Sequence, residues 1–244
     1  MILRGGYNVY GIPIGILCLE SYCANVPGHI RNATTFNFPV YYNVVYGATP
    51  KRVVDEADKA LLERFIEAAR ELEREGVRAI TSSCGFLVLF QRELADSVSI
   101  PVYTSSLIQI PMVNQMIGCD QKVGILTAKR SRLTREHLRA VGADSTPSCI
   151  AGMDEQKEFC EVIIDRKRTK LDINRLEKEI VSVVDKLIDE HPEIGALVIE
   201  CTDLTSFAHL IQQKINVPVF DIVTLTNMVY ETVVRKSYQG IMPY

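Results

Sequence analysis

Two of the seven cysteines in the sequence occupy equivalent positions in an internal repeat. Residues 76–106 and 194–224 each contain an apolar strand that ends at a cysteine, then a helical stretch, then a returning Val/Ile-Pro-Val strand. Pro101 lies 17 residues after Cys84, and Pro218 lies 17 residues after Cys201. Two halves related by a pseudo-twofold axis would bring these two thiols to opposite sides of one cleft.

Two thiols on opposite faces of a carbon atom can exchange its proton. A thiolate on one face removes the proton as general base, and a thiol on the other face supplies one as general acid. Each cysteine follows the carboxyl end of a predicted strand and begins a predicted helix, where free N–H groups are expected to lower its pKa. The pair Cys84 and Cys201 therefore predicts inversion of a carbon α to a carboxylate or carbonyl, with N–H groups, Ser83, Thr127 and Thr202 stabilising the carbanion-like intermediate.

Short apolar runs alternate with longer segments of helical period, which is typical of an α/β fold with parallel strands. We predict two pseudo-symmetric α/β halves, each with a central parallel sheet flanked by helices, and an active-site cleft between them. Residues 1–117 plus 221–244 would form the first lobe, carrying Cys84, and residues 118–220 the second, carrying Cys201. The predicted strands are 12–19, 39–45, 77–83, 101–106, 122–127, 196–200 and 217–220, and the main predicted helices are 51–75, 86–96, 172–190, 204–214 and 223–235. Residues 144–170 show no assignable pattern.

Composition excludes several classes of function. The net charge is −3 and the basic residues are scattered, which argues against a nucleic-acid or anionic-membrane partner. No apolar run reaches the roughly 18 residues that a membrane span needs, and the amino-terminal residues lack the pattern of a signal peptide. The cysteines form no CxxC pair, so we expect neither a disulfide framework nor a metal site, and a cytoplasmic location.

The stretches SSCGF (residues 82–86) and ECTDL (residues 200–204) resemble the two cysteine motifs of the aspartate/glutamate/hydantoin racemase superfamily. Weaker matches are Glu20–Ser21 after the first strand, the Tyr46–Gly47 turn, and the GILT run that ends at Thr127. The resemblance implies a cofactor-independent isomerase, a homodimer, with Cys84 and Cys201 as the catalytic pair. It also implies a pocket for a small carboxylate or cyclic amide, built from Glu20, Ser21, Tyr46, Gly47, Ser83, Gly85, Thr127, Thr202 and Asp203.

The sequence departs from glutamate racemases at three places. Glu20-Ser21 replaces Asp-Ser, Gly85-Phe86 replaces Asn-Thr, and Asp203 stands where those enzymes have a histidine. Asp203 can either orient Cys201 or cap the helix that follows it. These departures leave the substrate open.

Other interpretations of the same residues remain. The fold is shared with maleate isomerases, in which one cysteine attacks the substrate, and with arylmalonate decarboxylases, which use a single cysteine. A non-catalytic small-molecule-binding protein built from two such halves is a third possibility. His29 and Arg31 lie in a loop long enough to form a lid or a pocket wall, and Arg31 is a candidate clamp for a substrate carboxylate. The basic run 166–170 is interpreted as a solvated face.

Overall fold

Each half of the chain builds a four-stranded parallel sheet, and the two sheets have the same strand order. The computed structural model describes residues 5–242. The first sheet has the order β2-β1-β3-β4 and the second β6-β5-β7-β8. The strands are β1 (Ile14–Leu19), β2 (Val40–Val45), β3 (Ala79–Ser82), β4 (Val102–Tyr103), β5 (Lys122–Thr127), β6 (Ser148–Gly152), β7 (Ile194–Ile199) and β8 (Val219–Phe220). The predicted fold class is confirmed, and β3 and β7, which precede the two cysteines, are equivalent strands.

The central strands are apolar along their whole length because helices cover both faces of each sheet. All six residues of β1 (IGILCL) and all six of β7 (IGALVI) are buried. The α-helices are α1 (Leu62–Arg74), α2 (Gln91–Ser97), α3 (Ile110–Met116), α4 (Arg135–Arg139), α5 (Lys157–Phe159), α6 (Ile173–Glu190), α7 (Ala208–Ile215) and α8 (Ile222–Val233). Short 3-10 helices at Gly85–Phe90 and Thr202–Phe207 carry the chain from each cysteine into α2 and α7.

The predicted helix 51–75 is not continuous. A π-helical turn occupies Lys51–Asp55, a 3-10 turn occupies Lys59–Leu61, and the regular helix α1 begins only at Leu62. Ala57 interrupts the run with a φ of +46°, a left-handed conformation that ends a right-handed helix. The predicted end is confirmed, since Gly76 has a φ of +88° and its N–H bonds the Glu73 carbonyl.

Residues 144–170 contain a strand that the sequence pattern did not indicate. β6 forms the edge of the second sheet and pairs with β5 in parallel from Ser148 opposite Val123. Its sequence, SCIAG, is half-exposed and lacks alternation, so hydrophobic periodicity carries no signal there. A π-helical turn then occupies Cys160–Ile164.

The last helix of the chain returns to the first sheet. Ile222 and Leu225 of α8 pack with Ile14, Ile16 and Tyr103 in one buried cluster. The boundaries of the two lobes remain a prediction. Residues 1–4 and 243–244, which belong to the predicted first lobe, lie outside the described residues. The start of the amino-terminal segment, for which no signal peptide is predicted, lies outside them too. Within residues 5–242, no helix is long and apolar enough to cross a membrane.

Ala57→Gly is expected to stabilise the protein by about 0.5–1 kcal/mol. Glycine adopts a positive φ without the penalty of roughly 1–2 kcal/mol that an L-residue pays, and this gain exceeds the entropy cost of a flexible residue. Ala60, three residues away and also exposed, has no positive φ and is the matched control. Urea unfolding of both variants measures the effect: Ala60→Gly should lower stability, and a similar loss in Ala57→Gly would contradict the explanation.

Candidate active site

The carboxyl ends of the two sheets meet, and both predicted catalytic cysteines line the cleft formed there. The cleft has a volume of about 710 Å³ including its open mouth. Its floor is crossed by a hydrogen bond in which the Thr202 hydroxyl donates to the Ser83 carbonyl at 2.8 Å. Thr202 follows Cys201 and Ser83 precedes Cys84, so this bond joins the two cysteine loops directly.

Cys84 stands where β3 gives way to the 3-10 helix that begins at Gly85. Burial raises the pKa of its thiol, and the negative charges of Glu200 and Asp203 raise it further. The backbone N–H groups of Phe86 and Leu87, at the start of this 3-10 helix, favour the thiolate and act in the opposite direction. The expectation of a lowered pKa is therefore wrong for Cys84, because desolvation outweighs the N–H groups at the start of the helix.

Cys201 occupies the equivalent place after β7 and is 5% exposed. Burial raises its pKa well above the ordinary value, and the charges of Asp203 and Glu200 add to the effect, so the expectation is wrong here too. Its sulfur lies 3.8 Å from Oδ2 of Asp203, to which the thiol donates. This donation holds Cys201 in its protonated form.

Asp203 is held by His29 and does not cap the following helix. The Arg31 N–H donates to Nδ1 of His29 at 2.9 Å, so a neutral His29 ring carries its proton on Nε2. That nitrogen lies 3.5 Å from Oδ1 of Asp203. Burial acts to raise the pKa of Asp203, but the hydrogen bond and charge of His29, helped by Arg31, bring it below the ordinary value. Asp203 is thus a carboxylate that orients the Cys201 thiol.

Glu200 is a buried carboxyl group beside both cysteines, with 1% of its surface exposed. Its Oε2 accepts a hydrogen bond of 2.6 Å from the Thr127 hydroxyl, while its buried Oε1 has no hydrogen-bond partner among the described residues. Burial raises its pKa to about 7. The carboxyl lies directly against Gly85, where any Cβ would collide with it. This contact explains why glycine follows Cys84.

Seven of the eleven residues predicted for the site line the cleft. They are Ser21, Ser83, Cys84, Gly85, Cys201, Thr202 and Asp203. The other four lie outside its lining. Glu20 accepts a hydrogen bond from the Gly47 N–H at 2.8 Å and so closes the turn at Tyr46, whose ring is 70% exposed. Thr127 reaches the cleft only through Glu200.

Four charged lining residues were not predicted for the site. Asp55 and Lys129 form an ion pair of 2.5 Å that joins the two halves at the cleft. Glu200 directly follows the apolar run IGALVI, and a carboxyl group in that position is a signal that could have identified it. Arg166 also lines the cleft, so the interpretation of 166–170 as a solvated face is wrong for this residue. The loop residues His29 and Arg31, for which the sequence predicts a place in a pocket wall, both line the cleft.

A group of possible metal ligands lies away from the cleft, near the amino-terminal end of the second sheet. Ligand atoms of Cys149, His191 and Glu193 lie within 4.8 Å of one another. The Lys122 ammonium forms an ion pair of 2.8 Å with the Glu193 carboxylate, and this places a positive charge where a metal ion would bind. The chemistry of this donor set therefore does not favour a metal ion.

The family of the chain follows from its sequence. The model of the Asp/Glu/hydantoin racemase family matches residues 54–227, which include both cysteine loops. The chain therefore belongs to this family, as its motifs predicted. A solved structure, allantoin racemase from Klebsiella pneumoniae, has the same fold, with a TM-score of 0.65 and 12% identity over 91% of this chain and 86% of that one.

Two curated relatives are closer in sequence. A dimethylsulfoniopropionate lyase of Durusdinium sp. clade D is 30% identical over 221 residues, which cover 88% of this chain and 72% of the relative. Dimethylsulfoniopropionate lyase 3 of Emiliania huxleyi is 27% identical over 238 residues, covering 93% of this chain and 61% of the relative. The chain thus spans less than two thirds of the second relative's length.

Thr202→Val is expected to lower the free energy of unfolding by about 1–3 kcal/mol. Valine preserves the shape of threonine but leaves the buried Ser83 carbonyl without its donor. Thr232→Val is the matched control, because the Thr232 hydroxyl bonds a carbonyl on an exposed stretch of α8 where water can replace it. Chemical unfolding compares the two, and equal effects would refute a special contribution of the bond between the cysteine loops.

Glu200→Gln is expected to change how stability depends on pH. The unfolded chain ionises its glutamates near pH 4.3, whereas Glu200 in the folded protein has a pKa of about 7. Between these values the unfolded state binds fewer protons, so the wild type loses up to about 4 kcal/mol of stability as pH rises. Glutamine has no acidic proton to lose, so the Glu200→Gln variant avoids this loss. The free energy of unfolding of the variant minus that of the wild type should therefore increase from pH 4 to pH 8.

Urea titrations at several pH values measure this gain. Glu193→Gln is the control with the opposite sign, because the hydrogen bond from Lys122 lowers the pKa of Glu193. A Glu200→Gln curve parallel to the wild-type curve would show that Glu200 does not titrate in this range.

Proposed function

We propose that the cleft is the active site of an enzyme that removes a proton α to a carboxylate, using cysteine and no bound cofactor. The observation that carries the proposal is that two cysteines from equivalent strands line one cleft, and that only Cys201 has a carboxylate acceptor for its thiol among the described residues. Cys84 stands at the start of a 3-10 helix, where the N–H groups of Phe86 and Leu87 favour a thiolate. Cys201 donates to the Asp203 carboxylate, which suits a thiol. Cys84 is accordingly the base and Cys201 the acid.

The raised thiol pKa values are consistent with this assignment. A thiolate that is costly to form is a strong base once formed, and a cationic substrate beside it would lower the cost. Glu200 contributes as well, because its charge raises the pKa of Cys84 and its protonation removes that charge. The cleft also carries both signs of charge, with Arg31 and Arg166 beside Asp203 and Glu200, which suits a zwitterionic substrate.

The sequence relatives favour elimination as the reaction. For dimethylsulfoniopropionate, the Cys84 thiolate takes the proton from the carbon next to the carboxylate, and the electrons of that C–H bond form the C=C bond. The bond from the β-carbon to sulfur breaks and its electron pair leaves on dimethyl sulfide. The organic product is acrylate, and the Cys84 thiol then returns its proton to water. The step requires one base and no acid, since the leaving group is neutral.

Racemisation or epimerisation of an amino acid or hydantoin is the second candidate. It is favoured by the matched placement of the two cysteines, because inversion requires a proton donor on the face opposite the base. In this reaction Cys201 delivers a proton to the carbanion and the substrate keeps all its heavy atoms. The two reactions therefore share their first step and differ in their need for Cys201.

The cysteine variants separate these candidates. With dimethylsulfoniopropionate as substrate, Cys84→Ser is expected to lower kcat by about 10²–10⁴-fold because it removes the base. Cys201→Ser should lower kcat much less. Dimethyl sulfide in the headspace is measured by gas chromatography and acrylate by liquid chromatography. Cys119→Ser is the matched control, since Cys119 is exposed and outside the cleft lining.

A panel of chiral amino acids and hydantoins in D₂O tests the second candidate. A racemase would lose optical rotation, incorporate deuterium at the inverted carbon, and lose activity equally in the Cys84 and Cys201 variants. Release of dimethyl sulfide at the wild-type rate by Cys84→Ser would refute the assignment of the base. Turnover of neither substrate class would refute the proposed reactions.

A further inference from the structure

Arg166 differs from the basic residues that follow it in the chain. Lys167 pairs with Asp165 at 2.8 Å, and Arg168 pairs with Glu158 at 2.6 Å. Arg166 alone of these three lines the cleft, and no ion pair among the described residues includes it. Its neighbours are therefore held by carboxylates of their own half, while Arg166 faces the space where a substrate would bind.

Two energetic penalties meet at this residue. Its Nε is buried without a hydrogen-bond partner among residues 5–242, and a buried N–H of a charged group is costly to leave unpaired. Its backbone has a φ of +53°, a left-handed conformation that a residue with a Cβ adopts at a cost. Strained backbone and unpaired polar groups that persist in a cleft are typical of residues that bind ligands.

The other cations of the cleft already have partners. Lys129 is paired with Asp55 at 2.5 Å, and the Arg31 guanidinium donates to the Ser21 carbonyl at 2.9 Å. The Asp203 carboxylate is likewise held by His29 at 3.5 Å. Among residues 5–242, Arg166 is thus the cation of the cleft for which no acceptor is found. A carboxylate is the group that a guanidinium binds best.

We propose that Arg166 anchors the carboxylate of the substrate. This inference rests on the proposed function, because it names the residue that holds the acid group next to the reacting carbon. Arg166 comes from the second half of the chain, as Cys201 does, while the proposed base Cys84 comes from the first. An anchored carboxylate would fix the α-carbon relative to the two thiols and would leave the sulfonium or amino group toward the acidic residues of the cleft.

The binding of two probes that lack the positive charge of the sulfonium tests the role of Arg166 without any turnover. Isocaproate has the shape of dimethylsulfoniopropionate with carbon in place of sulfur and cannot eliminate, and isocaproamide lacks only the negative charge. By isothermal titration calorimetry, the wild type is expected to bind isocaproate at least tenfold more tightly than isocaproamide. Arg166→Gly should weaken the binding of isocaproate roughly 10- to 100-fold and leave the affinity for isocaproamide unchanged. Arg166→Lys should retain part of the preference for isocaproate over isocaproamide.

The choice of glycine separates binding from folding. Glycine suits a φ of +53°, so the Tm of Arg166→Gly should equal or exceed that of the wild type, whereas a structural role for Arg166 would lower it. Lys167→Gln is the matched control and should bind both probes like the wild type. With dimethylsulfoniopropionate as substrate, Arg166→Lys should raise KM with a smaller effect on kcat.

The outcomes for the anchor and for the reaction are distinct. Failure of the wild type to turn over any substrate would overturn the proposed function, yet the calorimetric preference for isocaproate would still support the anchor. The anchor is overturned if the wild type does not prefer isocaproate or if Arg166→Gly keeps its affinity within twofold. It is also overturned if Arg31→Gln, and not Arg166→Gly, removes the preference.

Discussion

The site depends on the contact between the carboxyl ends of two separate sheets. The Thr202 hydroxyl reaches the Ser83 carbonyl of the other half, and Glu200 lies against Gly85 with no room for a side chain. A second buried hydroxyl, that of Ser106, donates to the Ile199 carbonyl at 2.7 Å across the same boundary. The contacts of Thr202 and Glu200 hold the loops that follow β3 and β7 together, and the cysteines come to one cleft because those loops do. The bond from Ser106, which follows β4, ties the end of β7 to the first half as well.

Bringing the loops together creates an electrostatic problem that the site solves by protonation. Two thiols and two carboxyl groups share a buried volume, and burial disfavours every charged form. Asp203 stays ionised because His29 and Arg31 face it. No cation among the described residues holds Glu200 in this way, and burial raises its pKa to about 7. The negative charge of Asp203 is therefore permanent, whereas that of Glu200 depends on pH. A thiolate forms at a lower cost when Glu200 is protonated.

The fold was predictable from local pattern, with failures where tertiary contacts override it. Buried runs such as IGILCL and IGALVI are unambiguous as strands, and Gly76 ends α1 as its position predicted. The break at Ala57 was not predictable, because VVDEADKALLE continues the helical period through it. β6 was missed because an edge strand that is half-exposed need not alternate. Pattern indicates which residues a segment buries, but it does not reveal a local break in the backbone or the pairing of an edge strand.

By itself the sequence determined which cysteines are equivalent, since the repeat places Cys84 and Cys201 after matching strands and 17 residues before matching prolines. It also determined the family, through the short motifs around them. Only the tertiary structure decided the environment of those thiols: that burial raises their pKa, that Asp203 faces His29, and that Arg166 enters the cleft while its neighbours pair elsewhere. The physical reason is that spacing along the chain specifies elements and their ends, whereas desolvation and charge pairing depend on what other segments place beside them.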